Sequence, residues 1–301
     1  MSSGVYRTDN ASGNELKEDL LDIITDLSPV QTPIFTGLQK SRATNSVHQW
    51  LNDSVSRASS VSAAAEGAEI TFSDLSAPSR GTNYVQEIVS PFKISQKMKD
   101  ADTAGYSDPF AYFKGKAMKQ WKMNAEYALI WGTGNSGISG TGWEMTGLKK
   151  AAGNFYSTAS GTSITERLFN DVLELVYNDV DDDDYEMYTS MYLKRRISEF
   201  TSGATKNIDA EDRRLVNAID VYQSDVARNV KLFAHRDIPA AAGAWLMVIQ
   251  PRAFAVALMH NPEAMESAST GAYEAGYIYG SLTLEYRQAN AAVLATNFLY
   301  A

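Results

Sequence analysis

The stretch Gly132–Gly142 reads GTGNSGISGTG, and the residues before it, Tyr127–Trp131, read YALIW. Gly132-Thr133-Gly134-Asn135-Ser136-Gly137 fits the G-x-G-x-x-G pattern of a dinucleotide loop. Such a loop needs a strand before it and a helix after it, because the pyrophosphate rests on the helix N-terminus. The residues upstream give a different reading. Asp108-Pro109 is a helix start, an N-cap followed by proline at the first helical position. From there Phe110, Phe113, Ala117, Trp121, Asn124, Ala128 and Trp131 recur at helical spacing. The spacing predicts one amphipathic helix over 108–131, roughly 36 Å long at 1.5 Å per residue. YALIW is then the end of a helix and not a strand. Downstream, Gly137, Gly140, Gly142 and Gly147 leave no place for a helix to start, and no Gly-Lys-Ser/Thr follows. The glycine run is expected to be a helix C-cap and a flexible loop.

Outward from this helix, residues 54–95 carry the next signal. EGAEITFSDL (66–75) and TNYVQEIVSPFKIS (82–95) are rich in β-branched and aromatic residues, with the turn cluster SAPSRG (76–81) between them. They read as a long β-hairpin, preceded by the small-residue stretch SVSRASSVSAAAEG (54–67). A two-stranded hairpin alone is marginal in water. Nothing adjacent in sequence supplies a sheet to cover it, so a second copy of the chain is expected to do so. Further upstream, NELKEDLLDIITDLSP (14–29) predicts a short helix through Leu16, Leu20, Leu21, Ile24 and Leu27, ended by Pro29. TPIFTGLQKSRATNSVHQWLND (32–53) reads as extended chain.

Beyond about residue 160 the pattern is mixed. Ser163-x-x-Glu166 reads as a capping box opening a helix with Leu168, Phe169, Val172, Leu173 and Val176 inside. YEMYTSMYL (185–193) reads as a strand, and KRRISEFTSG (194–203) as a helix ended by Gly203. NVKLFAHR (229–236) and AWLMVIQ (244–250) read as strands, and PRAFAVALM (251–259) as the start of a helix or turn. The final stretch YIYGSLTLEYRQANAAVLATNFLY (277–300) reads as a hairpin turning at RQANA.

The bulk properties narrow the classes. With 301 residues, 44% of them hydrophobic, the chain can bury a substantial core. No apolar run approaches the roughly 20 residues of a membrane span. The first residues lack a basic start and an apolar centre, so no secretory signal and no membrane partner are expected. The absence of cysteine excludes disulfides and thiolate chemistry. The net charge of −9 argues against a protein that grips nucleic acid over its whole surface, so any such contact must be local. One local basic face is present: Lys114, Lys116, Lys119 and Lys122 fall away from the apolar stripe of the long helix. It is a candidate contact for DNA, with an ordinary solvated helix face or pairing with acidic groups on neighbours as the alternatives.

Other chemistry is thinly represented. His48, His235 and His260 have neither the H-E-x-x-H spacing nor an i,i+4 partner, so structural roles are expected and no metal or cofactor is assigned. G-x-S-x-G is absent. Asp179 and Asp181–Asp184 lack the glycine and final glutamate of a calcium loop and read as a solvated acidic turn. The 16 tyrosines, 11 phenylalanines and 5 tryptophans are not interleaved with arginine as a base-stacking surface would be, and read as core and interface.

The order of these parts, an arm, a hairpin, a long helix, a glycine break, an α/β section and a final sheet, resembles the major capsid proteins of tailed bacteriophages. Three stretches sharpen the likeness: residues 16–53, DVYQSDVARNVKLFAHRDIP (220–239) and GYIYGSLTLEYRQANAAVLATN (276–297). The resemblance implies an α+β phage major-capsid-type fold. Residues 1–52 would be an N-terminal arm, and 53–95 an extended loop lying over a neighbouring subunit. Residues 96–145 and 263–301 would form a peripheral domain with spine helix 108–131 near the shell's inner surface, and 146–262 an axial domain. It implies no enzyme activity, self-assembly as pentamers and hexamers, scaffold and portal partners, and packaged double-stranded DNA held by weak contacts. The shell would be the virion capsid, assembled in the host cytoplasm. Without a long N-terminal extension the scaffold would be separate, or an extension already removed. Some members link subunits through a lysine and an asparagine, but no motif here places such a pair. An encapsulin-like compartment is the alternative within the same fold, and a nucleotide-binding enzyme using Gly132–Gly137 the alternative of another class.

Overall fold

The computed structural model describes residues 32–53, 66, 67, 69, 77–101, 108–137, 142–178, 184–200, 208, 209, 214, 215, 221–224, 229–239, 244–269 and 271–299, and the structural statements below concern these. The predicted helix at 14–29, the acidic residues Asp179 and Asp181–Asp183, Gly140, Gly203 and most of EGAEITFSDL lie outside them.

In chain order the elements are α1 (Pro33–Gly37), β1 (Gln39–Arg42), β2 (Val47–Asn52), β3 (Ser79–Tyr84), β4 (Gln86–Ser95), α2 (Gln96–Asp100) and α3 (Pro109–Trp131). There follow β5 (Thr133–Ser136), β6 (Trp143–Thr146), α4 (Leu148–Ala151), β7 (Asn154–Thr162), α5 (Glu166–Tyr177), β8 (Asp184–Thr189) and α6 (Met191–Ser198). The chain continues through β9 (Ile208–Asp209), β10 (Arg214–Leu215), β11 (Val221–Tyr222), β12 (Asn229–Ala234), β13 (Ala244–Ile249), β14 (Phe254–Ser267), β15 (Tyr273–Tyr286) and β16 (Ala292–Phe298).

Helix α3 starts where the sequence places it. The Asp108 carboxylate accepts from the Phe110 N–H at 2.9 Å and the Ala111 N–H at 3.2 Å, and Pro109 follows the cap. Its buried side carries Ala117, Trp121, Ala125, Ala128 and Leu129, together with one carboxylate, Glu126. Asn124, part of the apolar stripe in the sequence reading, is exposed. The helix lies on a four-stranded sheet of order β1-β14-β15-β4. Trp121 fixes this seam. Its indole N–H donates to the Ile88 carbonyl at 2.9 Å. It presses on Gly280 of β15, where a Cβ would stand 2.5 Å from the ring, so glycine lets helix and sheet close up.

A second, six-stranded sheet has the order β11-β12-β8-β13-β16-β7, with α5 and α6 packed against it. Strand β13 joins the two cores. Trp245, Met247 and Ile249 face the core shared with α3, while Ala244, Leu246 and Val248 face the core under α5. That split is the period-2 alternation of a strand buried on both faces. Short 3-10 turns, Pro251–Ala253 and Ala289–Ala291, carry the chain from β13 into β14 and from β15 into β16, so the two sheets are linked twice.

Several sequence expectations are corrected. TNYVQEIVSPFKIS is two strands, broken at Val85, and not one arm of a hairpin. Its first part, β3, pairs antiparallel with β2, from Val47 opposite Tyr84 to Asn52 opposite Ser79. Its second part, β4, pairs along its length with β15 of the same chain, so that strand has its partner at home. Ser79–Gly81 therefore belong to a strand and not to a turn, and residues 32–53 hold α1, β1 and β2 instead of plain extended chain. The C-terminal stretch is not a hairpin: β15 pairs with β14 and β4, whereas β16 pairs with β13 and β7. Alternation reveals a strand but not its neighbour, and here both strands find partners far away in sequence. Thus β16 belongs to the sheet built from residues 154–249, and the expected boundary at 263 falls inside β14.

Three local signals also resolve differently. After the Pro251 turn, Phe254–Met259 continue as strand. The cap of α5 is Thr165, which accepts from the Leu168 N–H at 3.3 Å, and not the Ser163/Glu166 box. YEMYTSMYL breaks at Ser190, whose side chain caps α6.

Candidate functional site: the ribbon root and the spine helix

Strands β2 and β3 form a two-stranded ribbon from Val47 opposite Tyr84 to Asn52 opposite Ser79. Its root is held by a polar and aromatic cluster that the sequence scatters over more than 200 positions. Asn83, 2% exposed, is one anchor. Its amide donates to the Leu284 carbonyl at 2.7 Å and the Thr146 carbonyl at 3.1 Å, and its oxygen accepts from the N–H groups of Thr146 at 2.8 Å and Tyr84 at 2.9 Å. One side chain thereby stands in for backbone pairing between β3, β6 and β15.

Glu285 is the second anchor. Its carboxylate accepts from Ser41 Oγ at 2.8 Å and Arg287 Nε at 2.8 Å, and lies 3.2 Å from His48 Nε2. Burial alone would raise its pKa, but the hydrogen bonds from Arg287, Ser41 and His48 outweigh it and hold the carboxyl below its ordinary value. Aromatic packing completes the root. Trp50 meets Tyr286 edge to face at 5.0 Å, and the Tyr286 hydroxyl donates to the Thr82 carbonyl at 3.2 Å. Farther out the ribbon turns polar and exposed, yet it carries Leu51 at 71% exposure. A large apolar side chain on a two-stranded ribbon is what a contact with another surface needs.

The four lysines of α3 are all exposed. At 100° per residue they do not form one line. Lys116, Lys119 and Lys122 turn away from Trp121 and from the sheet. Lys114 points in nearly the same direction as Trp121, two turns earlier. The outward basic face is therefore three residues, spread over roughly 9 Å of helix.

The glycine run forms a hairpin. Strand β5 pairs with β6, so 133–136 is strand and not the expected flexible loop. Gly132 ends α3, its N–H donating to the Ala128 carbonyl at 2.9 Å, and a Cβ on it would lie 2.3 Å from the Met145 carbonyl. Where a dinucleotide loop offers bare N–H groups to phosphate, Thr133 here gives its N–H to the Glu144 carboxylate at 3.0 Å and its hydroxyl to the same group at 2.8 Å. A fixed anion at that position repels a second one.

The three histidines differ in setting, and His260 is exposed. His48 sits in the ribbon root, His235 lies against Glu126 with a side chain 2% exposed, and the His260 ring packs against Tyr279 at 5.7 Å. Sequence reasoning missed Glu126, Asn83 and Glu285. At 100° per residue Glu126 falls opposite the apolar stripe, so the sequence marked neither it nor the partners of the three residues. Among the described residues no group of three or more acidic or histidine side chains is placed to hold a metal, and no helix is long and apolar enough to cross a membrane.

A family model described as the SU10 major capsid protein matches residues 4–298. Among solved structures, the capsid of the native GTA particle is similar over 99% of this chain and 100% of that chain, at 14% identity and a TM-score of 0.69. A Gordonia phage Cozz structure is similar over 100% of this chain and 97% of that chain, at 14% identity and a TM-score of 0.62. The holo-SrpI encapsulin complex of Synechococcus elongatus PCC 7942 matches 92% of this chain and 94% of that chain, at 11% identity and a TM-score of 0.58. No curated protein matches in sequence. At these identities the solved structures speak for the fold.

Proposed function

This chain belongs to the SU10 major capsid protein family, and from that premise we propose that its copies close into the icosahedral head shell that encloses the genome of a tailed bacteriophage. The observation that carries this is the ribbon β2–β3. It is rooted by Asn83 and Glu285, it exposes Leu51, and among the described residues no third strand joins it. A ribbon of that kind gains a covering surface when a neighbouring copy lies beneath it. Closed symmetry lets every subunit both give and receive that contact. Individually weak contacts become strong when repeated around a shell.

In this reading residues 53–95 carry the extended loop, and 96–145 with 263–301 the peripheral domain. Residues 146–262 then carry the axial domain, which gathers into pentamers and hexamers. Strand β16 is an exception to that division, since it completes the axial sheet. The exposed lysines Lys116, Lys119 and Lys122, without Lys114, face packaged double-stranded DNA through weak contacts. Scaffold and portal proteins are the further partners, and assembly takes place in the host cytoplasm. No catalytic step is assigned to a subunit whose work is to fit its neighbours.

Electron microscopy of the overproduced chain, alone and with a scaffold protein from the same genome, tests this. Shells, rings or tubes are expected, and a uniform monomer at high concentration defeats the reading. The likeness to the encapsulin supports the second reading, a compartment that holds a protein. Nuclease-protected double-stranded DNA inside native particles selects the head shell, and a protein cargo selects the compartment. Lys116→Glu with Lys119→Glu should lower the DNA content of such particles while leaving empty shells intact. Unchanged DNA content removes the lysines from the proposal.

A further inference from the structure

Glu126 stands near the C-terminal end of α3 with 0% exposure, although helical spacing sets it opposite the apolar stripe; the last turns of the helix also bury Ala125, Ala128, Leu129 and Ile130. Its two oxygens are shared between segments far apart in sequence. Oε1 accepts from the Ile34 N–H at 2.9 Å and lies 2.9 Å from His235 Nε2, and Oε2 accepts from the Phe35 N–H at 2.7 Å. The donors at Ile34 and Phe35 are N–H groups that open α1, whose N-cap residue Thr32 makes no side-chain cap bond. The histidine comes from the turn that follows β12 of the six-stranded sheet.

The protonation of that histidine follows from its other side. The Asp237 N–H points at His235 Nδ1 at 3.2 Å, so Nδ1 is the acceptor and the ring proton sits on Nε2, aimed at Glu126. The positive group in reach also arrives with the arm. Lys40 of β1 donates to the Phe35 carbonyl and lies 4.0 Å over the Phe35 ring, and the Glu126 charge opposes the lowering of its pKa by burial. Removal of residues 33–40 from this seat takes away two N–H donors and one positive charge together. A fully buried carboxylate is then left with the single His235 contact, an arrangement that a low-dielectric core tolerates poorly. Removal of His235 has the converse effect and weakens the carboxylate's hold on the arm.

We infer that Glu126 is a latch shared by the arm segment 33–38 and the axial turn 235–238, so that the seating of each stabilises the seating of the other. Coupling through one group is reciprocal by thermodynamic necessity. Displacement of the arm is felt at the turn after β12 of the six-stranded sheet, and a shift of that sheet relative to α3 loosens the arm. Glu126 acts here as a positioning residue. The coupling belongs to the folded subunit and its test needs no shell, so it stands or falls separately from the proposed function.

Amide hydrogen exchange, read by mass spectrometry on the full unassembled chain, tests the latch. His235→Ala should raise exchange at residues 33–38 on the order of tenfold, although the histidine's own hydrogen bond is to Glu126 and not to that segment. Leu246→Ala, which weakens the same sheet but packs into the core under α5, should change exchange at 33–38 by less than about twofold. Glu126→Gln should raise exchange at both 33–38 and 235–238. The inference is overturned if His235→Ala leaves 33–38 unchanged, or if Leu246→Ala raises it as much. Those two variants decide the question even if Glu126→Gln does not fold.

Discussion

Strand β13 and the ribbon β2–β3 solve the same problem in opposite ways. All six residues of β13 are buried, both of its edges are paired, and its alternate side chains feed two different cores. The ribbon has six residues in each strand, half-buried or exposed at every position but Asn83, and a hold on the body that is concentrated at one end. Apolar burial distributed over a sheet makes β13 indifferent to other copies of the chain. The ribbon instead combines a polar root that fixes its direction with an apolar residue that its own chain leaves uncovered. One part of the molecule is covered on both faces by its own chain, and the other is held mainly at its root.

The sharpest way to break this contrast is to damage the body. Trp121→Ala removes the side chain that seats α3 on the sheet together with its hydrogen bond to Ile88. A loss of about 3–5 kcal/mol is expected. Urea unfolding of the unassembled subunit measures it, and a loss under about 1 kcal/mol would show that the helix–sheet seam is not the core of this half.

At the root, Asn83→Ala strands the carbonyls of Leu284 and Thr146 and the N–H of Thr146. The expected cost is about 2–3 kcal/mol. Faster amide exchange should appear in 47–52 and 79–84 before it appears in β13. Equal acceleration in both would erase the distinction between body and ribbon.

Glu285→Gln should be milder, about 1–2 kcal/mol at neutral pH, because part of the cluster is open to solvent screening. Its pH dependence carries the sign. The folded carboxyl titrates below its ordinary value of 4.5, so its stabilisation is present above that value and is lost as pH falls through the lower, folded one. The gap between the natural protein and the variant should therefore narrow in acid, and a gap that widens contradicts the assignment.

The smallest effect on the subunit is expected at the exposed ribbon. Leu51→Asp should shift its stability by no more than about 0.5 kcal/mol. It should nonetheless reduce the yield of closed particles, seen by sedimentation or microscopy. Unaltered assembly would mean that the ribbon's apolar side chain meets nothing.

How much of this was readable beforehand differs along the chain. Helix α3 was legible from Asp108 to Trp131 because its cap, proline and apolar spacing are local facts that point the same way. The strands β12 and β13 were legible for the same reason. The ribbon was misread because its strong β signal at 86–95 belongs to a different sheet, while its true second strand, VHQWLN, looks like ordinary extended chain. The ribbon root was illegible: Asn83 and Leu284 are 201 positions apart, as are few pairs a local pattern can join. Glu126 was not legible either, because helical spacing sets it opposite the apolar stripe, and its partners at Ile34, Phe35 and His235 lie far away in sequence.

The sequence by itself determined the acidic, cysteine-free composition of the protein, the long capped helix, and the order of parts that resembles a phage capsid subunit. These follow from composition, capping and periodicity, which act over a few residues or over the whole chain at once. Only the tertiary structure decided which strands pair, that β16 crosses into the other sheet, and that buried carboxylates at 126 and 285 tie distant segments together. Strand partnership and the satisfaction of a buried charge are set by the packing of cores, and that packing is a property of contacts between residues the sequence keeps far apart.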